Sequence, residues 1–145
     1  VSDLTSELKS LFADVVSAYL RAHGYHWNVE GPDFAQYHAL FETIYTDIYE
    51  SIDPLAENIR KLGDYAPYRL ERLVELRTLP EPNRVANDAR SLANDLLAAN
   101  EFLVTRLKNV FKVANAADEQ GIANFIAERI DQHEKWVWQL RASVK

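Results

Sequence analysis

Apolar residues recur at spacings of three and four along most of this chain, the period of an α-helix with one buried face. The first run, Leu4, Leu8, Leu11, Phe12, Val15, Ala18, Tyr19, Ala22 and His26, predicts a helix from about Leu4 to Val29 that stops at Gly31-Pro32. A second helix is expected to begin after Asp33 as its N-cap and to reach Leu62, with Gly63 free to take the C-terminal capping position. Residues 64–82 are less regular, yet "YRLERLVEL" has room for a short helix ahead of the "LPEP" turn. A third long helix is expected from about Asn83 to Ala116, through Val85, Leu92, Leu96, Leu103, Leu107 and Val110. A fourth runs from near Asp118 to about Ser143, through Ile122, Phe125, Ile126, Ile130, Trp136 and Leu140. No strand pattern or internal repeat competes. The chain therefore reads as an all-α four-helix bundle with a short helix in the crossover between the second and third long helices. A crossover of that length allows those two helices to run parallel.

Composition narrows the chemistry. A chain of 145 residues is expected to be one domain, 1–145, able to bury roughly 68–70% of its unfolded surface. With 48% hydrophobic and 26% charged residues, it reads as a soluble globular protein. No apolar run approaches the roughly 18 residues of a membrane span, and no charged-then-apolar leader is seen, so the expected compartment is the cytosol. A net charge of −6 and a start, "VSDLTSELKS", with one lysine argue against DNA as a partner. The chain has no cysteine, so a bound metal would be held by His, Asp, Glu or water. Such nitrogen and oxygen donors favour iron, zinc or manganese.

The second helix carries a stripe with ligand chemistry. With Phe34 at zero and 100° per residue, His38, Glu42, Asp53 and Glu57 fall at roughly 40°, 80°, 100° and 140°, beside the apolar stripe of Phe41, Tyr45, Ile48, Ile52, Leu55, Ile59 and Leu62. His38 with Glu42, and Asp53 with Glu57, are i,i+4 pairs, so each can converge on one ion. Fifteen residues separate His38 from Asp53, about 22 Å on one rod. One ion held by all four must lie between subunits, across a two-fold axis that lays a second copy of the helix antiparallel. Each residue also has a plainer reading. His26 could bond the last carbonyls of its helix, and His38 and Glu42 could be a solvated pair. Asp53-Pro54 could be an N-cap followed by proline, since a helix running through Pro54 loses a hydrogen bond, and Glu57 could be a solvated carboxylate.

The segment "HWNVEGPDFAQYHALFETIYTDIYESIDPLAENIRKLG", residues 26–63, resembles the signature of the Dps family, the DNA-protection-during-starvation proteins or mini-ferritins. That signature runs H-W-N-V-x-G, F-x-x-x-H, D-x-x-x-E and L-G. Here twelve residues separate His26 from His38, fifteen His38 from Asp53, and four Asp53 from Glu57. "DEQGIANFIAERIDQHEKWVWQLRA" resembles the family's last helix more loosely. The resemblance implies a ferritin-like subunit, a hollow dodecamer, and ferroxidase centres at two-fold interfaces where Fe(II) is oxidised by hydrogen peroxide or, more slowly, dioxygen. The ferric mineral is stored inside, which protects against oxidative damage. By the same resemblance His26, His38 and Glu42 are iron ligands from one subunit, and Asp53 and Glu57 from its neighbour. Glu42 stands where the family often has Asp. Zinc could compete for these donors. No E-x-x-H, the motif of intra-bundle di-iron sites, occurs: the residues three before the histidines are Leu20, His23, Ala35 and Ile130. Trp27 is a candidate electron source or radical sink, or else an aromatic that fills the interface. Matching the last helix to the family places Glu119, Asn124 and Glu128 along an acidic three-fold pore, with Asp118 adjacent or capping the helix. Asp47 and Glu50 are candidates for nucleating mineral. His23 lies outside the pattern, as a surface or packing residue.

Overall fold

The computed structural model describes residues 2–145. Five helices form in the order α1 (Ser2–Asn28), α2 (Phe34–Lys61), α3 (Leu70–Leu76), α4 (Ala89–Ala116) and α5 (Gln120–Ser143), and no strand is present among the described residues. Helix α1 packs along α2, α4 along α5, and contacts of α1 with α4 join the two hairpins. Glu30 N–H donates to Asn87 O at 3.0 Å, which puts the starts of α2 and α4 at one end of the bundle, so the two run parallel.

Three helix ends are built differently from the expected ones, although α2 does begin directly after Asp33. Asp33 does not cap α2 with its side chain; Phe34 N–H closes a turn on Gly31 O at 3.2 Å, and Asp33, at φ 67°, sits third in that turn. Pro32 second and a left-handed third residue are the marks of a type II turn, and that conformation takes the carboxylate away from the N–H groups it would cap. The third long helix begins at Ala89 rather than Asn83, because Asn87 is engaged by Glu30 and Asp88 accepts Ser91 N–H at 3.0 Å as a true N-cap. Asp118, left-handed at φ 59°, closes α4 rather than opening α5: Glu119 N–H donates to Ala114 O and Asp118 N–H to Asn115 O. Gly63, at φ 90°, makes the same closure on α2, as expected.

Helix α2 runs unbroken through Pro54. The carbonyl that Pro54 leaves without a donor belongs to Glu50, an exposed residue. The buried face of α2 is Phe41, Ile44, Ile48, Ser51, Leu55, Asn58 and Ile59, which keeps Phe41, Ile48, Leu55 and Ile59 of the expected stripe and rotates it toward Ile44, Ser51 and Asn58. Tyr45, Ile52 and Leu62 are only half-buried. The crossover is fastened from beneath by Asp14, fully buried, which accepts from Thr78 N–H (2.6 Å), Thr78 Oγ1 (2.6 Å) and Leu79 N–H (2.7 Å) and pairs with Arg106.

Candidate metal centre

The type II turn folds the end of α1 back onto the start of α2 and brings His26 against His38. Gly31 makes this corner possible, since its φ of 98° is strained for any residue with a Cβ. The two imidazoles stack at 3.7 Å between centroids and 16° between planes. Each is tied to the other's backbone: His26 Nδ1 lies 2.7 Å from His38 O, and His38 Nδ1 lies 2.8 Å from His26 O. A carbonyl only accepts, so both rings carry hydrogen on Nδ1, which leaves Nε2 as the nitrogen of each that can face a metal ion. A hydrogen bond from the far ring nitrogen to a carbonyl is how metal-binding histidines are held in orientation. Phe34 stacks on His38 at 4.9 Å, and Tyr45 meets His26 edge-on at 5.1 Å.

The carboxylates expected beside them are on the same helix and free. Glu42, Asp53 and Glu57 are exposed, and among the described residues no hydrogen bond or ion pair engages them. They lie outward from the core rather than on the flank of the buried stripe as expected. Among the described residues no group of three or more His, Asp or Glu is close enough in one chain to hold a metal ion. The structure thus pairs His26 with His38 and leaves Asp53 and Glu57 further along α2. Exposed aromatic surface accompanies the carboxylates: Trp27 is 62% and Tyr49 60% exposed.

His23, expected as a surface or packing residue, is half-buried and packs among aromatic rings. It stacks on Tyr45 at 3.8 Å and 10°, lies 4.2 Å from Trp27, and its Nδ1 is 2.8 Å from Tyr19 Oη. Burial, then the neighbouring His26, pushes its pKa below 6.5, while burial and the nearby Tyr49 and Tyr45 raise that of Tyr19. The available signal was the spacing Tyr19, His23, Trp27, one ring per helical turn.

The sequence model of the Ferritin-like domain family matches residues 5–145. A DNA protection during starvation protein of Brevibacillus brevis is 33% identical over 132 residues, covering 90% of this chain and 87% of that one. The chain belongs to the ferritin-like Dps family. Its similarity extends to an uncharacterized low temperature-induced protein of Nostoc, 32% identical over 91% of this chain and 76% of that one. The crystal structure of a Dps protein from Vibrio cholerae, described as one of the ferritin-like diiron-carboxylate proteins, superposes with a TM-score of 0.93 at 30% identity, covering 99% of this chain and 90% of that one.

Elsewhere in this Dps-family subunit, Asp47 is not free to nucleate mineral. Arg129 holds both its oxygens at 2.9 Å, and Trp136 Nε1–H donates to Oδ2 at 2.8 Å. Burial would raise the Asp47 carboxyl, but the hydrogen bonds and charge of Arg129, with the Trp136 donor, hold it below its ordinary value. Arg129 also reaches His133 Nε2 at 3.1 Å, and His133 Nδ1 is 2.8 Å from Asn100 Oδ1. The polar groups between α2, α4 and α5 thus satisfy one another. Glu50 remains exposed and lines, with Glu128 and Arg129, a surface hollow of about 250 Å³. Of the residues assigned to a pore, Asp118, Asn124 and Glu128 are exposed and Glu119 is half-buried, with no side-chain cap on α5. No described helix is long and apolar enough to cross a membrane.

Proposed function

We propose that this subunit is a ferroxidase and iron-storing mini-ferritin whose oxidation site is shared by two copies in a hollow dodecamer. His26, His38 and Glu42 would come from one subunit, and Asp53 and Glu57 from the other. The observation that carries this is the reciprocal lock of His26 and His38, which fixes both rings with Nε2 open, while Glu42, Asp53 and Glu57 on α2 are exposed and without a partner among the described residues. The exposed Trp27 and Tyr49, and Leu70 and Val74 at 75% and 65% exposure on α3, favour a face covered by another chain.

The substrate is Fe(II), and the donors fit it. Neutral imidazole and carboxylate suit this ion, and the carboxylates stabilise Fe(III) more than Fe(II), which lowers the cost of removing an electron. Hydrogen peroxide takes one electron from each of two Fe(II) ions, its O–O bond breaks, and water hydrolyses the Fe(III) to ferric oxide-hydroxide with release of protons. Dioxygen is the slower oxidant. Consuming Fe(II) and peroxide together removes the reagents of hydroxyl-radical formation, which is the protective role. Zinc fits the same donors and would compete. Iron would reach the interior past Glu119, Asn124 and Glu128 at the start of α5, with Asp118 at its edge. Anaerobic loading with Fe(II), addition of peroxide and measurement of ferric absorbance tests the site. His26→Ala/His38→Ala should be slow, and equal rates in wild type and variant would remove the ferroxidase assignment.

A further inference from the structure

We infer that Tyr19 and His23 form an electron-donating pair that supplies the second electron to hydrogen peroxide when only one Fe(II) occupies the oxidation site; this rests on the ferroxidase reading above. Peroxide is a two-electron oxidant, and one Fe(II) gives one electron. Without a second donor the O–O bond breaks to hydroxide and a hydroxyl radical. A continuous set of rings leads away from the iron-binding edge. His26 meets Tyr45 at 5.1 Å, Tyr45 stacks on His23 at 3.8 Å, and Tyr19 lies 5.3 Å from Tyr49 and 6.3 Å from Tyr45. Each step is a ring contact, a distance an electron crosses readily.

What singles out Tyr19 is the proton. A phenol that loses an electron becomes a strong acid, so the ring with a base on its hydroxyl is the easiest to oxidise. Tyr19 Oη lies 2.8 Å from His23 Nδ1, so with the His23 hydrogen on Nε2 the phenol donates to that nitrogen, whereas the hydroxyls of Tyr45 and Tyr49 have no hydrogen-bond partner among the described residues. Trp27 touches His23 at 4.2 Å but is 62% exposed, and among the described residues no base accepts its N–H. His23 is a positioning residue and proton acceptor, and Tyr19 is the electron donor. The step balances: Fe(II) and Tyr19 each give one electron, and the O–O bond breaks to two hydroxide ions. The Tyr19 proton crosses to His23 and then neutralises one hydroxide to water, leaving Fe(III) and a neutral tyrosyl radical.

The test loads the assembled protein anaerobically with one equivalent of Fe(II) per subunit, adds one equivalent of peroxide, freezes the mixture and records the electron paramagnetic resonance spectrum. The wild type should give a tyrosyl signal that narrows when tyrosine is ring-deuterated and shows an exchangeable-hydrogen coupling from His23. Tyr19→Phe should lose that signal and release more trapped hydroxyl radical. His23→Phe, which keeps a ring against Tyr45, should lose the exchangeable coupling. An equal tyrosyl signal in Tyr19→Phe overturns the inference. So does a wild-type signal without the exchangeable coupling, which needs no variant to fold. Iron oxidation with hydroxyl radical but no protein radical overturns the pair and leaves the ferroxidase reading standing. Absence of iron oxidation overturns both.

Discussion

Acid should unfold this protein through His133, a residue far from iron chemistry. The imidazole is 1% exposed, and burial, with the adjacent positive charge of Arg129, pushes its pKa down to about 3 even though Asp47 pulls the other way. In the unfolded chain it returns to about 6.5. Between these values the unfolded state binds a proton that the folded state refuses, so stability is complete above about pH 6.5 and falls with pH until about 3. At pH 5 the loss spans about 1.5 pH units at 1.36 kcal/mol each, about 2 kcal/mol per subunit. Because pH 5 lies well above the folded pKa, that magnitude hardly depends on how low the folded value is. Asp47 contributes in a different window, since its depressed carboxyl loses its share of stability only below the ordinary carboxylate value of 3.8. The assay is thermal unfolding of wild type and His133→Gln at one protein concentration, at pH 7.5 and pH 5. Glutamine can accept from Arg129 and donate to Asn100 but does not titrate. The wild type should lose roughly 4–8 °C more than the variant between the two pH values. Histidines that titrate in both proteins cancel in that difference. Equal losses would show that His133 is protonated in the folded state or that its burial is relieved, and would refute the reasoning.

Mixing two inactive proteins, His26→Ala/His38→Ala and Asp53→Ala/Glu57→Ala, after dissociation and reassembly should restore part of the ferroxidase rate, because some interfaces then hold one intact site; no recovery would place all ligands within one chain. Asp14→Ala removes the acceptor of Thr78 and Leu79 and leaves Arg106 short of one partner, so it should cost about 3–5 kcal/mol in denaturant unfolding. Asn124→Asp adds a carboxylate to an exposed position on the path assigned to iron entry, so its initial oxidation rate should fall more steeply with salt than the wild type's; equal slopes would contradict a pore there.

Local pattern carried much of this protein. The spacing of apolar residues placed all five helices, and Gly31-Pro32 and Gly63 marked two real helix ends, because helical period and glycine's tolerance of positive φ are properties of short segments. It failed where a distant residue decided. Asn83 to Asp88 have a helical pattern, but the α1–α2 corner pairs with Asn87, and α4 starts only after Asp88 caps it. Asp47 read as a free carboxylate because Arg129, 82 residues away, is invisible to helix arithmetic.

By itself the sequence determined that the chain is a bundle and which side chains carry ligand chemistry, down to the separation that forbids one helix from closing a single site around His38 and Asp53. Only the tertiary structure decided which nitrogen of each histidine is free, since that depends on a carbonyl across the corner. Only it decided that Glu42, Asp53 and Glu57 are unpaired among the described residues while Asp47 is held by Arg129 and Trp136. The physical reason is common to both: period and propensity act over a few residues, whereas a proton's position and a carboxylate's freedom are set by whatever the fold brings within hydrogen-bond reach.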